Sequence, residues 1–190
     1  MSQIIQVVDF QINQRAIVQL RMFLNLEIQL IFMSDFSLEP LDFHNHLDEF
    51  LKEDGVLACM EKDGRINLIT IGWKTIGVLW ARPVITVAIH PDRYSYSVLE
   101  EGIPEFTVNI GGPRMRPIVN YCGMHSGRDV DKVKETGVEL IPGSTTSVPL
   151  IKGAHLAYEC KIIHTADSGN ITPHKLYFGE IQDCFEQNPE

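Results

Sequence analysis

The chain is poor in the features that would place it outside a reducing compartment, on a nucleic acid or in a membrane. Its 190 residues hold only four cysteines, Cys59, Cys122, Cys160 and Cys184, far apart and without a C-x-x-C pair. Structural zinc sites need closer spacing and secreted disulfide frameworks a denser one, so reduced thiols in a cytoplasmic protein are expected. Lysine and arginine total 16 against 25 aspartates and glutamates, a net charge of −9. Gripping a phosphate backbone needs a basic surface, which excludes nucleic acid as the main partner but leaves room for a local pocket for one phosphate. No apolar run reaches the ~20 residues of a membrane span. The sequon Asn170-Ile171-Thr172 is discounted, because no signal peptide precedes it.

Several catalytic and nucleotide motifs are missing too. No G-x-G-x-x-G follows a strand, which argues against a Rossmann fold. Gly72 to Gly77 has P-loop glycine spacing, but Val78-Leu79 stands where Lys and Ser/Thr would have to be. Neither G-x-S-x-G nor H-E-x-x-H occurs. The seven histidines are scattered; His44-x-His46 is the closest pair, in a polar stretch that reads as solvated surface. No metal site is expected.

What is present fits one soluble domain: 44% hydrophobic and 22% charged residues. Residues 1–32 read differently from the rest. From Leu20 to Phe32 every even position is apolar, yet Ile17, Leu20, Leu24, Ile28 and Ile31 also form a helical stripe. Met33-Ser34-Asp35 looks like a natural chain start. Residues 1–32 are therefore expected to be an extension outside a core domain at 33–190.

In that core, Gly55 to Met60 and Ile66 to about Trp73 read as strands around the Asp63-Gly64 turn. Pro83 to His90 is rich in β-branched residues and reads as a core strand. A short helix follows, with Ser95 or Ser97 as N-cap and Gly102 past its end. Glu105 to Ile110 is a further strand. Helices are expected around Met115 to Cys122 and from an Asp129 cap through Thr136. Ile141 to Ile151 reads as a loop, and two long strands, about Ala154–Thr165 and His174–Phe185, close the chain. Strands with short helices between them and no regular β-α-β alternation predict a mainly β fold, a closed or half-open barrel.

Three segments carry candidate chemistry. Tyr121 to Lys132 sets Cys122, Gly123, Ser126, Gly127, Arg128 and Lys132 at a helix start, where free N–H groups and the positive helix end suit a phosphate. The same residues serve equally well as an ordinary capping loop. Arg93-Tyr94-Ser95 repeats the pattern after a strand, and is also read as a plain strand-to-helix turn. Asn67-Leu68-Ile69-Thr70-Ile71-Gly72-Trp73 puts Thr70 and Gly72 on one strand face, where Gly72 lets a flat ligand approach the backbone. In isolation that strand is more often core packing.

Taken in order, these segments resemble the flavin reductase-like, FMN-binding split-barrel family, in particular its flavoredoxin branch. The matching pieces are Asn67 to Trp73, Arg93-Tyr94-Ser95, Phe106-Thr107-Val108-Asn109, Tyr121-Cys122-Gly123, Ser126 to Lys132 and His174 to Ile181, over about Met33 to the C-terminus. The resemblance implies an FMN-binding split β-barrel, acting as a homodimer with FMN near the subunit interface. Thr70, Ile71, Gly72 and Trp73 would offer backbone groups to the isoalloxazine. Arg93, Ser95, Ser126 and Lys132 would meet the phosphate and ribityl chain, and Asn67, Ile69, Tyr94 and Gly127 also belong to the implied cofactor-binding set. Asn109, Cys122 and Gly123 complete the implied cofactor set, and His174 stands near the reactive side of the flavin. Lys74 departs from the small residue often found after the tryptophan.

The implied activity is that of an NAD(P)H-dependent flavin reductase, with NADH or NADPH as hydride donor to flavin N5. Two alternatives remain: an electron carrier that keeps FMN bound for a redox partner protein, and a non-redox binding module on the same barrel.

Overall fold

A computed structural model describes residues 38–187, and the extension expected over residues 1–32 lies outside the described residues. The described chain forms β1 (Leu38–Pro40), α1 (Leu47–Lys52), β2 (Gly55–Met60), β3 (Ile66–Ile71), β4 (Lys74–Leu79), β5 (Arg82–Ile89) and α2 (Tyr94–Glu101). It continues through β6 (Glu105–Ile110), α3 (Met115–Met124), α4 (Lys132–Thr136), β7 (Leu140–Ile141), β8 (Leu150–Ile151), β9 (Leu156–Asp167) and β10 (Lys175–Gln187).

Seven strands pair in the order β3-β2-β6-β9-β10-β5-β4, and β1 joins β10. All these pairings are antiparallel. The two ends of this order, β3 and β4, follow one another in the chain with only Gly72-Trp73 between them. The sheet therefore curls until its ends are joined by covalent chain instead of a hydrogen-bonded ladder. It is a mainly β fold with short helices, a split barrel.

The apolar run of β2 is continuous because both of its faces are covered. Leu57 and Cys59 pack inside the barrel with Phe50, Ile85, Ile89, Phe106, Tyr158 and Tyr177. Val56 and Ala58, pointing the other way by the two-residue period of a strand, pack with Leu68 under Met115, Ile118 and Cys122 of α3. Thr70 shares the outer face with Leu68, and its hydroxyl donates to the Val119 carbonyl of α3. The helix and the strand edge are thereby fixed to each other.

The structure departs from the sequence expectations in several places, beginning with β1 and α1, which form in a stretch read only as polar. β4 is a strand where none was expected, and it turns into β5 through Trp80 and Ala81, both at left-handed φ (53° and 59°). Such a turn normally uses Asn or Gly, so this hairpin carries no compositional signal. Arg93 rather than Ser95 or Ser97 is the N-cap of α2; Ser97 Oγ donates back to the Tyr94 carbonyl. Asp131 rather than Asp129 caps α4, accepting from the Lys134 amide. The Ile141–Ile151 loop contains half of a short ladder, β7 with β8. Glu159 organises that loop: its buried carboxylate accepts from the amides of Ser144, Thr145 and Thr146 at 2.7–2.8 Å and from the Thr145 hydroxyl at 2.6 Å.

Candidate functional site

Because β3 ends the sheet, one of its edges has no strand partner among the described residues. The Leu68 carbonyl on that edge accepts from the Lys132 ammonium at 2.8 Å. By the alternation of an antiparallel strand, the backbone N–H and C=O of Thr70 face the same side. Two hollows open along this edge.

The first, of about 440 Å³, is lined by Thr70, Arg93, Tyr94, Ser95, Cys122, Gly123, Ser126, Gly127, Arg128 and Lys132. The second, of about 340 Å³, is lined by Asp54, Ile71, Gly72, Trp73, His90 and His174. Both include Ile69, Thr70 and Arg93, so they adjoin at the middle of β3. The turn that carries Arg93 and the α3–α4 connection that carries Ser126 and leads into Lys132 thus meet beside Thr70.

The cations of the first hollow are not equivalent. Lys132 is buried, and its ammonium donates to the carbonyls of Leu68 and Cys122 at 2.8 and 2.9 Å. Burial lowers its pKa, a shift that the nearby Arg93 charge reinforces. Arg128 donates to the Asp92 carbonyl at 2.8 Å. The Arg93 guanidinium has no hydrogen bond or ion pair among the described residues, and it stands at the junction of the hollows. It is the cation most available to an anion. Gly127 leaves no room for a side chain: an added Cβ would lie 2.0 Å from Asn67 Oδ1 and 2.8 Å from the Tyr94 ring. Tyr94 itself lies within 5.5 Å of both the Arg65 and the Arg128 guanidinium.

Two expected site residues do not line either hollow. Asn67 is buried behind the first, where its amide donates to Ser95 Oγ at 2.7 Å. It fixes Ser95. Asn109 is fully buried on β6, accepts from the Ile151 amide at 2.8 Å and donates toward Thr107 and Val56. Its polar atoms are spent on tying β8 to the barrel. The space beside Gly72 is also taken, since an added Cβ there would meet Asp54 Oδ1 at 2.8 Å. Lys74 turns away from both hollows and donates to the Glu53 carbonyl at 2.6 Å. The Cys122 thiol is pushed up to about 11 by burial, so it lines the site as a neutral group.

The second hollow has an aromatic rim. Trp73 is 62% exposed and packs on His174, which in turn meets His90 edge-on. His174 Nδ1 is hydrogen-bonded to the Thr172 hydroxyl. Desolvation, then the proximity of His90 and Arg93, lowers the His174 pKa, so the ring is neutral at neutral pH. Asp54 and His90 were not expected in the site. Each is an ordinary turn or strand-end residue in the sequence and gains meaning only when the loops meet.

The arrangement suits a long, flat ligand with one anionic end. A family model for the flavin reductase like domain matches residues 55–190. The chain belongs to that family.

The flavin reductase-like chain is 26% identical to flavoredoxin of Desulfovibrio vulgaris, with a TM-score of 0.60 over 69% of this chain and 67% of that one. It is equally 26% identical to an FMN-binding protein from Thermus thermophilus with bound p-hydroxybenzaldehyde, with a TM-score of 0.61 over 70% and 71% of the two chains. An uncharacterized protein of Aeropyrum pernix is 27% identical over 132 residues, 68% of this chain. The flavin reductase-like chain spans 48% of that relative and 63% of a second curated one. Among the described residues, no helix is long and apolar enough to cross a membrane.

Proposed function

We propose that this flavin reductase-like chain binds FMN across the two hollows and acts as an NAD(P)H-dependent flavin or FMN reductase. The observation that carries the reading is the meeting of the two hollows at Ile69, Thr70 and Arg93, one rimmed by cations and hydroxyls, the other by aromatic rings. Family membership and the FMN-binding relatives support it.

The residues present fit the group. Arg93 offers an uncommitted guanidinium to the phosphate, and the Ser126 hydroxyl with the amides of Ser126 and Gly127, just past the end of α3, offers neutral donors beside it. An added Cβ on Gly123 would meet Thr70 Oγ1 at 3.4 Å, ordinary van der Waals contact, so helix and strand stand close together beside the first hollow. Lys132 acts indirectly, holding the Cys122 carbonyl against β3 while leaving positive charge close by. The free edge at Thr70 provides backbone N–H and C=O groups for the polar rim of a ring system, and Trp73 with His174 forms the wall beyond it.

When bound, FMN supplies N5 as the acceptor of hydride from a reduced nicotinamide. The protein's part is to hold both rings in contact, exclude water with Trp73 and favour negative charge through backbone N–H groups and Arg93. His174, at the rim with Trp73, would stand beside that exchange. The domain is proposed to span 33–190 and to work as a homodimer. A cytoplasmic setting agrees with its four buried, unpaired cysteines.

The test is an anaerobic titration of purified, flavin-analysed protein with NADH and with NADPH. Stoichiometric FMN that bleaches rapidly with either donor is the expected result. FMN that stays oxidised over minutes would leave an electron carrier, and protein unable to retain or reduce FMN would leave a non-redox module.

A further inference from the structure

A second group of chemistry-bearing side chains lies away from the hollows, where α1 meets the ends of β9 and β10. His46 caps α1, Glu49 stands in its first turn, His155 immediately precedes β9, and Glu186 is near the end of β10. His155 Nδ1 lies 2.8 Å from a Glu49 carboxylate oxygen, and His155 Nε2 lies 3.0 Å from Glu186 Oε1. His46 Nε2 lies 3.6 Å from Glu186 Oε2. One ligating atom from each of His46, Glu49 and His155 falls within 4.8 Å of the others.

We propose that His46, Glu49 and His155 form a binding site for a divalent transition-metal ion of the zinc class, with Glu186 as the residue that orients His155. Two imidazoles and one carboxylate are a donor set that zinc accepts, with a fourth position left to water. Bonds of about 2.0–2.2 Å to a shared ion require the three donors to draw somewhat closer than they stand. His46 is exposed and free to make that adjustment, while the other two are partly buried and already in contact. His155 uses Nδ1 for the ion and keeps Nε2–H on Glu186, the usual way in which a carboxylate sets the tautomer of a ligating histidine.

Two backbone features hold the set in place. His46 has a left-handed φ of 59°, which directs its side chain from the start of the helix without a capping bond. Gly111 stands beside Glu49, and an added Cβ there would lie 2.0 Å from Glu49 Oε1. Only glycine leaves the carboxylate its position. The neighbouring His44 takes no part, since it pairs with Asp42 at 2.7 Å. The site departs from the expectation that the chain binds no metal. It lies outside the residues that line either hollow and does not depend on the flavin reading.

Full-length protein freed of metal is titrated with Co²⁺ as a visible probe, followed by Zn²⁺ competition. One equivalent of Co²⁺ giving the d–d bands of a low-coordinate N/O site and displaced by Zn²⁺ is the expected result. His46→Gly suits the left-handed backbone and preserves the fold; it should weaken Zn²⁺ binding at least about tenfold, as should Glu49→Gln. His44→Ala should leave it unchanged. Absence of saturable one-equivalent binding, or equal affinity in folded His46→Gly and wild type, would overturn the proposal.

Discussion

The His174 ring centroid lies 4.5 Å from that of Trp73, with the two planes tilted by 47°. One partner begins the second half of the closing hairpin and the other sits in the link between β3 and β4. Their contact therefore bridges two parts of the barrel at the mouth of the second hollow. Replacing His174 with alanine should slow flavin reduction by nicotinamide about tenfold, a barrier rise of about 1.4 kcal/mol, while the FMN dissociation constant stays within about twofold. Stopped-flow absorbance with each nucleotide, beside a binding titration, checks both halves. An unchanged rate would remove His174 from the exchange.

Arg93 and Lys132 should separate cleanly. Arg93→Ala removes a guanidinium with no other engagement among the described residues, so FMN affinity should fall by about 1.5–3 kcal/mol with little change in melting temperature. Lys132→Met strips two buried carbonyls of their donor. It should lower stability by about 1–3 kcal/mol before any effect on the phosphate is counted. Thermal melts of the two apo variants distinguish the roles, and equal melting losses would contradict this division.

Gly127→Ala forces a methyl group against Asn67 Oδ1 and the Tyr94 ring. Relieving that overlap means moving the Asn67–Ser95 pair or the loop itself, at a cost of about 1–3 kcal/mol. Denaturant unfolding should show that loss, together with weaker FMN binding because Ser126 moves with the loop. Wild-type values for both would mean that the loop relaxes freely.

Glu159 should give the fold an acid-sensitive point. Burial alone raises its pKa, but the bonds from the Thr145 hydroxyl and the amides of Ser144, Thr145 and Thr146 outweigh burial and hold it below the usual 4.5. A depressed folded pKa means that the stabilisation is complete above the unfolded value and is lost as the pH falls through the lower, folded one. Glu159→Gln should cost about 2–4 kcal/mol at pH 7, and the gap to wild type should narrow under acid. Urea melts at pH 7 and below pH 4.5 measure that gap; a constant difference would refute the assignment.

Most strands were legible because Val, Ile and aromatic residues mark them directly, as in Pro83 to His90. β4 was not, since Lys74 and Gly77 dilute its apolar pattern and Trp80-Ala81 turns without a turn residue. The candidate site was readable where a loop concentrates small and cationic residues, as in Gly123 to Lys132. Sequence could not show that Lys132 would be claimed by two carbonyls, or that Asn67 and Asn109 would face inward. Which way a polar side chain turns depends on neighbours that arrive from distant parts of the chain. The same holds for His46, Glu49 and His155, which no local spacing unites.

The seam between β3 and β4 has a mechanical consequence. Ile71 and Gly72 at the end of β3 and Ala88, Ile89 and His90 at the end of β5 all line the second hollow, so anything lodged there ties β3 to β5 across the seam. Occupancy should therefore be felt as stiffening along the whole split: amide exchange should slow in 68–73 and in 84–89 together, including strand positions that touch no ligand atom.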